Sequence, residues 1–316
     1  MERKIQSVGT SSFSVSLPKK WVEKSNLDAK STVFFKELND GSLLISPAKA
    51  AEKESLKKFS INVDDYKENF GQIVFAAYYL GSEEIIVYSD KKLSDKVKSE
   101  LRDTVSYMSG TEIVFEEEKK MHLHILLDRA KINANNIISR ISLIIDSSIN
   151  SCLNGPDMKE INRNEEEIDR LYHLASKIIL LSLADSNTLA TSGIKHRSLA
   201  VPYLLISKKL ENVADSIEDL AKILKANKGI QAETSELLQD IKSFVKLCTK
   251  FPSITSEYVF SIHLNEESSK LDSKLKRIKD SEVKTELQRL YRLIHDIKEE
   301  LVNLSFYNRM IKENVL

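Results

Sequence analysis

The chain has 316 residues, enough for two or three domains, with 41% hydrophobic and 30% charged residues, the balance of a globular protein. Only 8 glycines and 5 prolines occur, which favours long helices over a loop-rich β architecture. Basic and acidic side chains number 47 each, so net charge argues neither for nor against nucleic acid, and only its distribution can.

Residues 1–50 read as short strands around one short helix. Lys4–Gly9 and Phe13–Leu17 are strand-like, the second alternating hydroxyls with Phe13, Val15 and Leu17. Pro18 suits a first helical turn, where its missing N–H costs nothing, and PKKWVEKSNL supplies about two turns. Val33–Leu38 and Ser42–Ser46 flank Asn39-Asp40-Gly41, a hairpin signal because these residues tolerate positive φ. Over residues 1–24 five basic side chains, Arg3, Lys4, Lys19, Lys20 and Lys24, face only two acids. Lysines neutralise phosphates, and hydroxyls such as Thr10, Ser11, Ser12 and Ser14 can hydrogen-bond phosphate oxygens. An ordinary exposed edge beside a lysine-rich helix start fits the same residues.

Residues 51–118 read as a small βαβαβ segment: Phe59–Val63, a helix over Tyr66–Leu80 closed by Gly81, Glu84–Tyr88, a helix over Ser94–Met108 capped by Ser94, then Thr111–Phe115. It has no Gly-rich phosphate loop and no nucleophile motif, and reads as a spacer or dimerising module.

From residue 119 onward the chain reads as helical. Leu123, Leu127, Ala130, Ala134, Ile138, Ile141 and Ile145 form one stripe at helical spacing, and Ile161–Leu181 and Leu210–Leu224 carry the next two. A second set follows over 232–249, 256–280 and 282–314, suggesting a duplicated three-helix bundle with repeats at 119–228 and 232–316. Leu210-Glu211-Asn212-Val213-Ala214-Asp215 and Leu301-Val302-Asn303-Leu304-Ser305-Phe306 share an apolar frame and an Asn. Cys152 and Cys248 lie inside apolar helical patterns and read as buried free thiols of a reducing compartment. No run approaches the ~18 apolar residues of a membrane span, and the opening MERKIQSVG has no apolar leader, so a cytoplasmic location is expected.

Glu211 and Asp215, four apart, share a helix face, and Glu218 extends the row. Asp169, with Glu165 one turn before it, occupies a similar shoulder on the preceding helix. Four carboxylates on two packed helices can hold a hard cation, and a solvated acidic face fits the spacing too. His122, His124, His173, His196, His263 and His295 form no metal or triad signature and read as isolated surface or core residues. Hydrolytic or redox catalysis has no support, and the chain is expected not to be an enzyme.

Taken whole, RKIQSVGTSSFSVSLPKKWVEKSNL followed by VFFKEL-NDG-SLLISP resembles the SpoVT/AbrB-type DNA-binding domain over residues 1–48, through Gly9, Ser11–Ser14, Leu17-Pro18-Lys19-Lys20-Trp21, Asp40-Gly41 and Pro47. Lys30-Ser31 departs from the family's usual Gly-Asp before the third strand. The resemblance implies a swapped-hairpin homodimer with its hydroxyls and basic end on double-stranded DNA. The core shared by the two copies would bury Val15, Leu17, Trp21, Val33 and Leu44.

The C-terminal part resembles PhoU, the phosphate uptake regulator, through Asn164-Glu165-Glu166-Glu167-Ile168-Asp169-Arg170-Leu171-Tyr172 and Leu210–Ser216. Carried over, Glu211 and Asp215 match the family's metal-site pattern, Asp169 matches the acid on helix two, and Glu165 stands beside it. This implies one site per chain for a divalent or ferric ion, with the second-repeat site lost at Val302 and Phe306. The whole order resembles archaeal phosphate uptake regulators: a multidomain chain with an AbrB-like β head, an α/β middle segment and an all-α PhoU-like tail. The implied function is a dimeric, DNA-binding transcriptional regulator of phosphate uptake. The alternative is an adaptor that binds a phosphate transporter or sensor kinase, with the head only a dimeriser.

Overall fold

The computed structural model describes residues 2–9, 12–37, 43–47, 58–66, 69–227, 231–248, 251 and 274–313. Two compact units divide the chain, Met1–Lys57 and Lys58–Leu316.

In the first unit β1 (Gln6–Val8) pairs antiparallel with β2 (Ser12–Ser14), Ser7 opposite Phe13. Pro18 precedes helix α1 (Lys19–Lys24) and is not its first residue; its carbonyl accepts from the N–H groups of Trp21 and Val22 at 2.9 and 3.1 Å. Asp28 closes the following turn, accepting from the Lys30 N–H at 3.0 Å and the Ser31 hydroxyl at 2.8 Å. Lys30-Ser31 therefore makes a side-chain-closed turn without a glycine. Strands β3 (Val33–Glu37) and β4 (Leu43–Pro47) then pair antiparallel. Their connection, with Asn39-Asp40-Gly41, lies outside the described residues. Register puts Val33 and Phe35 on one face with Pro47, Ile45 and Leu43, and puts Leu44 on the other with Phe34. Val33 and Leu44, expected in one shared core, thus leave the hairpin on opposite faces.

Among its described residues this unit buries no side chain. Phe13 is 77% exposed, and Ile5, Val8, Phe34, Phe35, Leu43 and Leu44 are exposed too. A unit this small, with its apolar residues outside, has no core of its own among the described residues.

In the second unit four strands form a mixed sheet of order β5-β6-β8-β7: β5 (Lys58–Asn62) runs parallel to β6 (Glu84–Tyr88), and β8 (Lys120–Ile125) lies antiparallel to both β6 and β7 (Thr111–Glu116). Helices α2 (Phe70–Tyr79) and α3 (Asp95–Ser106) share its core, with Val74, Tyr78 and Leu101 against Ile85, Val87, Met121 and Leu123. Ser94 caps α3 by accepting from the Val97 N–H, and Gly81 ends α2 at φ +84. The helix expected from Tyr66 begins only at Phe70.

Strand β8 corrects the expectation of helix from residue 119. Leu123 and Leu127 fit helical spacing, but Met121, Leu123 and Ile125 are buried alternately with Lys120, His122 and His124, a period of two. Leu127 packs on the sheet core and Ala130 sits in a 3-10 turn, so the α/β segment runs past residue 118. The first long helix, α4 (Ala134–Asn154), starts where the Asn133 side chain accepts from the N–H groups of Asn135 and Asn136.

Next come α5 (Met158–Ala184), capped by Asp157, and a short α6 (Ser186–Ser192) that the apolar pattern does not announce. Then follow α7 (Ala200–Ala226), α8 (Gln231–Cys248) and α9 (Ser281–Lys312), the last capped by Asp280. The helix expected over 256–280 lies mostly outside the described residues. One continuous core joins Ile138, Ile145, Ile178, Leu210 and Ile217 to Leu238, Val245, Leu287 and Leu301 across both helix sets. Cys152 and Cys248 are free and buried, and burial pushes both thiols up to about 12. No helix of the described residues is long and apolar enough to cross a membrane.

Candidate functional site

Helices α5 and α7 pack together, and their shoulders bring Glu165, Asp169 and Asp215 to one place. A carboxylate oxygen from each lies within 4.8 Å of the other two. The N-terminal half of α5 supplies two of the acids one turn apart, and the middle of α7 supplies the third. Glu211, one turn before Asp215, takes a different partner. Its carboxylate is buried and accepts from the Lys208 ammonium at 2.6 Å. The four acids singled out in the sequence therefore separate into a three-carboxylate cluster and an ion pair beside it. Glu218 is paired with Lys222 at 3.0 Å.

Burial, then the charge of Asp169 and a hydrogen bond with it, raises the Glu165 carboxyl to about 7. Asp169 is raised by burial and by Asp215, and Asp215 by burial. Burial also raises Glu211, against the opposing pull of Lys208. Three half-buried carboxylates that disfavour one another's charge are what a hard cation relieves, and an all-oxygen donor set fits Mg²⁺, Mn²⁺ or Ca²⁺.

The sheet segment walls this cluster. Tyr107, just past α3, has its hydroxyl raised by burial and by the charges of Asp169 and Glu165. From α2, Phe75 stacks on His173 at 4.0 Å between centroids, and the Tyr79 hydroxyl is hydrogen-bonded to His173 Nδ1. His173 follows Asp169 by one turn, and burial, with Lys208 nearby, lowers it to about 4, so the ring is neutral near pH 7. Sequence reading treated His173 as isolated; its aromatic partners come from α2, which no local motif announces.

A pH dependence follows. The Glu165 carboxyl is raised from 4.5 to about 7, so between those values the folded chain holds more protons than the unfolded one. Cation-free protein should therefore have its highest contribution from this group below about pH 4.5 and lose it as pH rises through about 7. Thermal melts at pH 5 and pH 8 test this, and added Mn²⁺ should raise the melting temperature more at pH 8. A Glu165→Gln variant should flatten both effects; an unchanged pH profile would rule out this origin.

On α9, His295, Asp296 and Glu299 also cluster, but Asp296 is ion-paired with Lys209. Phe306 is exposed and Val302 half-buried on the same helix. In the first unit Lys4, Lys19, Lys20 and Lys24 are exposed with Arg3, and so are Ser12 and Ser14; Thr10 and Ser11 lie outside the described residues. Lys19 reaches Glu23 at 3.8 Å with 90% of its side chain exposed, a contact that leaves the ammonium available.

Comparison with curated proteins and with solved structures finds no match. Two family models do match. Residues 6–53 match the model described as antidote-toxin recognition MazE, bacterial antitoxin, and residues 135–224 match the PhoU domain. The PhoU match contains Glu165, Asp169, Glu211 and Asp215; the sheet segment and helices α8 and α9 lie outside both matches. The chain thus carries an antitoxin-type N-terminal domain of the MazE/AbrB kind and, after an intervening α/β segment, a PhoU domain.

Proposed function

We propose that the chain is a cytoplasmic, non-catalytic regulator of phosphate uptake that binds double-stranded DNA as a homodimer through its first unit. Its PhoU domain responds to a cation held by Glu165, Asp169 and Asp215. The observation that carries the reading is the first unit's lack of any buried residue among those described, beside a cluster of exposed basic side chains. Two copies sharing their apolar faces gain a core and present two sets of Lys4, Lys19, Lys20 and Lys24 to one duplex. A cation that binds one arrangement of the dimer more tightly than another shifts the population toward it.

Fluorescence anisotropy with DNA from upstream of the chain's own gene and of phosphate-transport genes, against a scrambled duplex at rising salt, tests this. Binding should prefer the upstream DNA, and Lys19→Ala with Lys20→Ala should weaken it by about tenfold or more while flattening its salt dependence. Equal, salt-labile binding to both duplexes, or none, would favour the adaptor, in which the PhoU domain docks on a transporter or sensor kinase.

A further inference from the structure

The sheet brings Glu84 beside two histidines that lie far from it in the sequence. His122 and His124 leave the same face of β8, two residues apart. Glu84 on β6 stands directly opposite His124, and Glu112 on β7 opposite its other side. His122 Nδ1 lies 3.6 Å from Glu84 Oε1, with only 20% and 16% of the two side chains exposed.

His122 is poorly served by the protein alone. At 3.6 Å the Glu84 carboxylate is beyond hydrogen-bond reach of His122 Nδ1. An imidazole nitrogen facing a carboxylate oxygen at this separation is a donor pair for a transition-metal ion. Two ligands each ~2.1 Å from zinc at a tetrahedral angle stand about 3.4 Å apart.

We propose that Glu84, His122 and His124 form a binding site for Zn²⁺ or a similar borderline divalent cation on the sheet, separate from the all-oxygen cluster of α5 and α7. His122 contributes Nδ1, Glu84 a carboxylate oxygen, and His124 a ring nitrogen after turning toward Glu84. The cation displaces the Lys58 ammonium, which now holds Glu84 Oε1 at 3.0 Å from a half-exposed side chain. Two nitrogens among the donors favour zinc over the hard cations suited to the carboxylate cluster.

Cobalt separates the two sites, because a nitrogen-ligated four- or five-coordinate Co²⁺ absorbs visible light far more strongly than a six-coordinate all-oxygen one. Chelator-treated full-length chain titrated with Co²⁺ should develop the strong band at one equivalent and lose it to Zn²⁺. His122→Ala, His124→Ala and Glu84→Gln should each weaken Co²⁺ binding by about tenfold or more. Asp215→Asn should leave the band intact, and Lys58→Met, which removes the competing ammonium, should tighten it. Should a histidine variant fail to fold, the unaltered chain still decides: Zn²⁺ must shift the ring-proton signals of two of its six histidines. Absence of the strong band, its survival in folded His124→Ala, or unshifted ring signals would overturn the proposal.

Discussion

Replacing Lys177 with alanine is expected to destabilise the second unit by about 3 kcal/mol. Lys177 lies on α5 and is 1% exposed. Its ammonium donates to the Tyr78 carbonyl at 2.7 Å and sits 3.8 Å over the Tyr78 ring centroid. The carbonyl belongs to the last turn of α2, whose C-terminus favours a cation. Alanine removes the stem, leaves a cavity and takes away the donor. Methionine keeps the stem volume and should recover about half of the loss, leaving chiefly the lost charge-assisted hydrogen bond, since the Tyr78 carbonyl still accepts from the Gly81 N–H at 3.2 Å. Urea denaturation of both variants gives the magnitudes, and hydrogen exchange gives the location. Protection should fall first in α2 and β6, because this contact joins them to α5. Equal stability of the alanine variant and the parent would mean that Lys177 does not hold the sheet segment to the helices.

Phe35→Asp is expected to convert the proposed homodimer to monomers, weakening self-association by about a thousandfold or more, ~4 kcal/mol over two symmetric positions. Phe35 is 58% exposed and stands opposite Ile45, on the hairpin face that also carries Val33, Leu43 and Pro47. Each buried phenylalanine side chain is worth about 1.5–3 kcal/mol, and two-fold symmetry counts it twice. The introduced carboxylate adds a desolvation cost. Analytical ultracentrifugation across concentration reads the change directly. Upstream DNA binding should fall with it, whereas Lys19→Ala should lower DNA affinity and leave the dimer intact. A Phe35→Asp chain that still sediments as a dimer would place the self-association elsewhere.

Much of the helical half was legible because its information is local. Stripes such as Ile138, Ile141 and Ile145 need only a helix period to be read, whereas the caps Asn133, Asp157 and Asp280 came with the structure. The two domain matches fall where the residue patterns pointed, because their motifs are short and contiguous.

The junction at residues 119–131 was misread for a physical reason. Leu123 and Leu127 satisfy a helix period while Met121, Leu123 and Ile125 satisfy a strand period. Pairing of β8 between β6 and β7 selects the strand. That choice put His122 and His124 on one face beside Glu84.

By itself, the sequence determined the order of segments, most of the helices, and which acids lie on the shoulders of α5 and α7. Only the tertiary structure decided which acids meet. Helix packing drew Asp215 toward Glu165 and Asp169, while Lys208 claimed Glu211. Partners across a helix interface or a sheet are chosen by packing and register, which act between residues far apart in the chain and leave no local pattern.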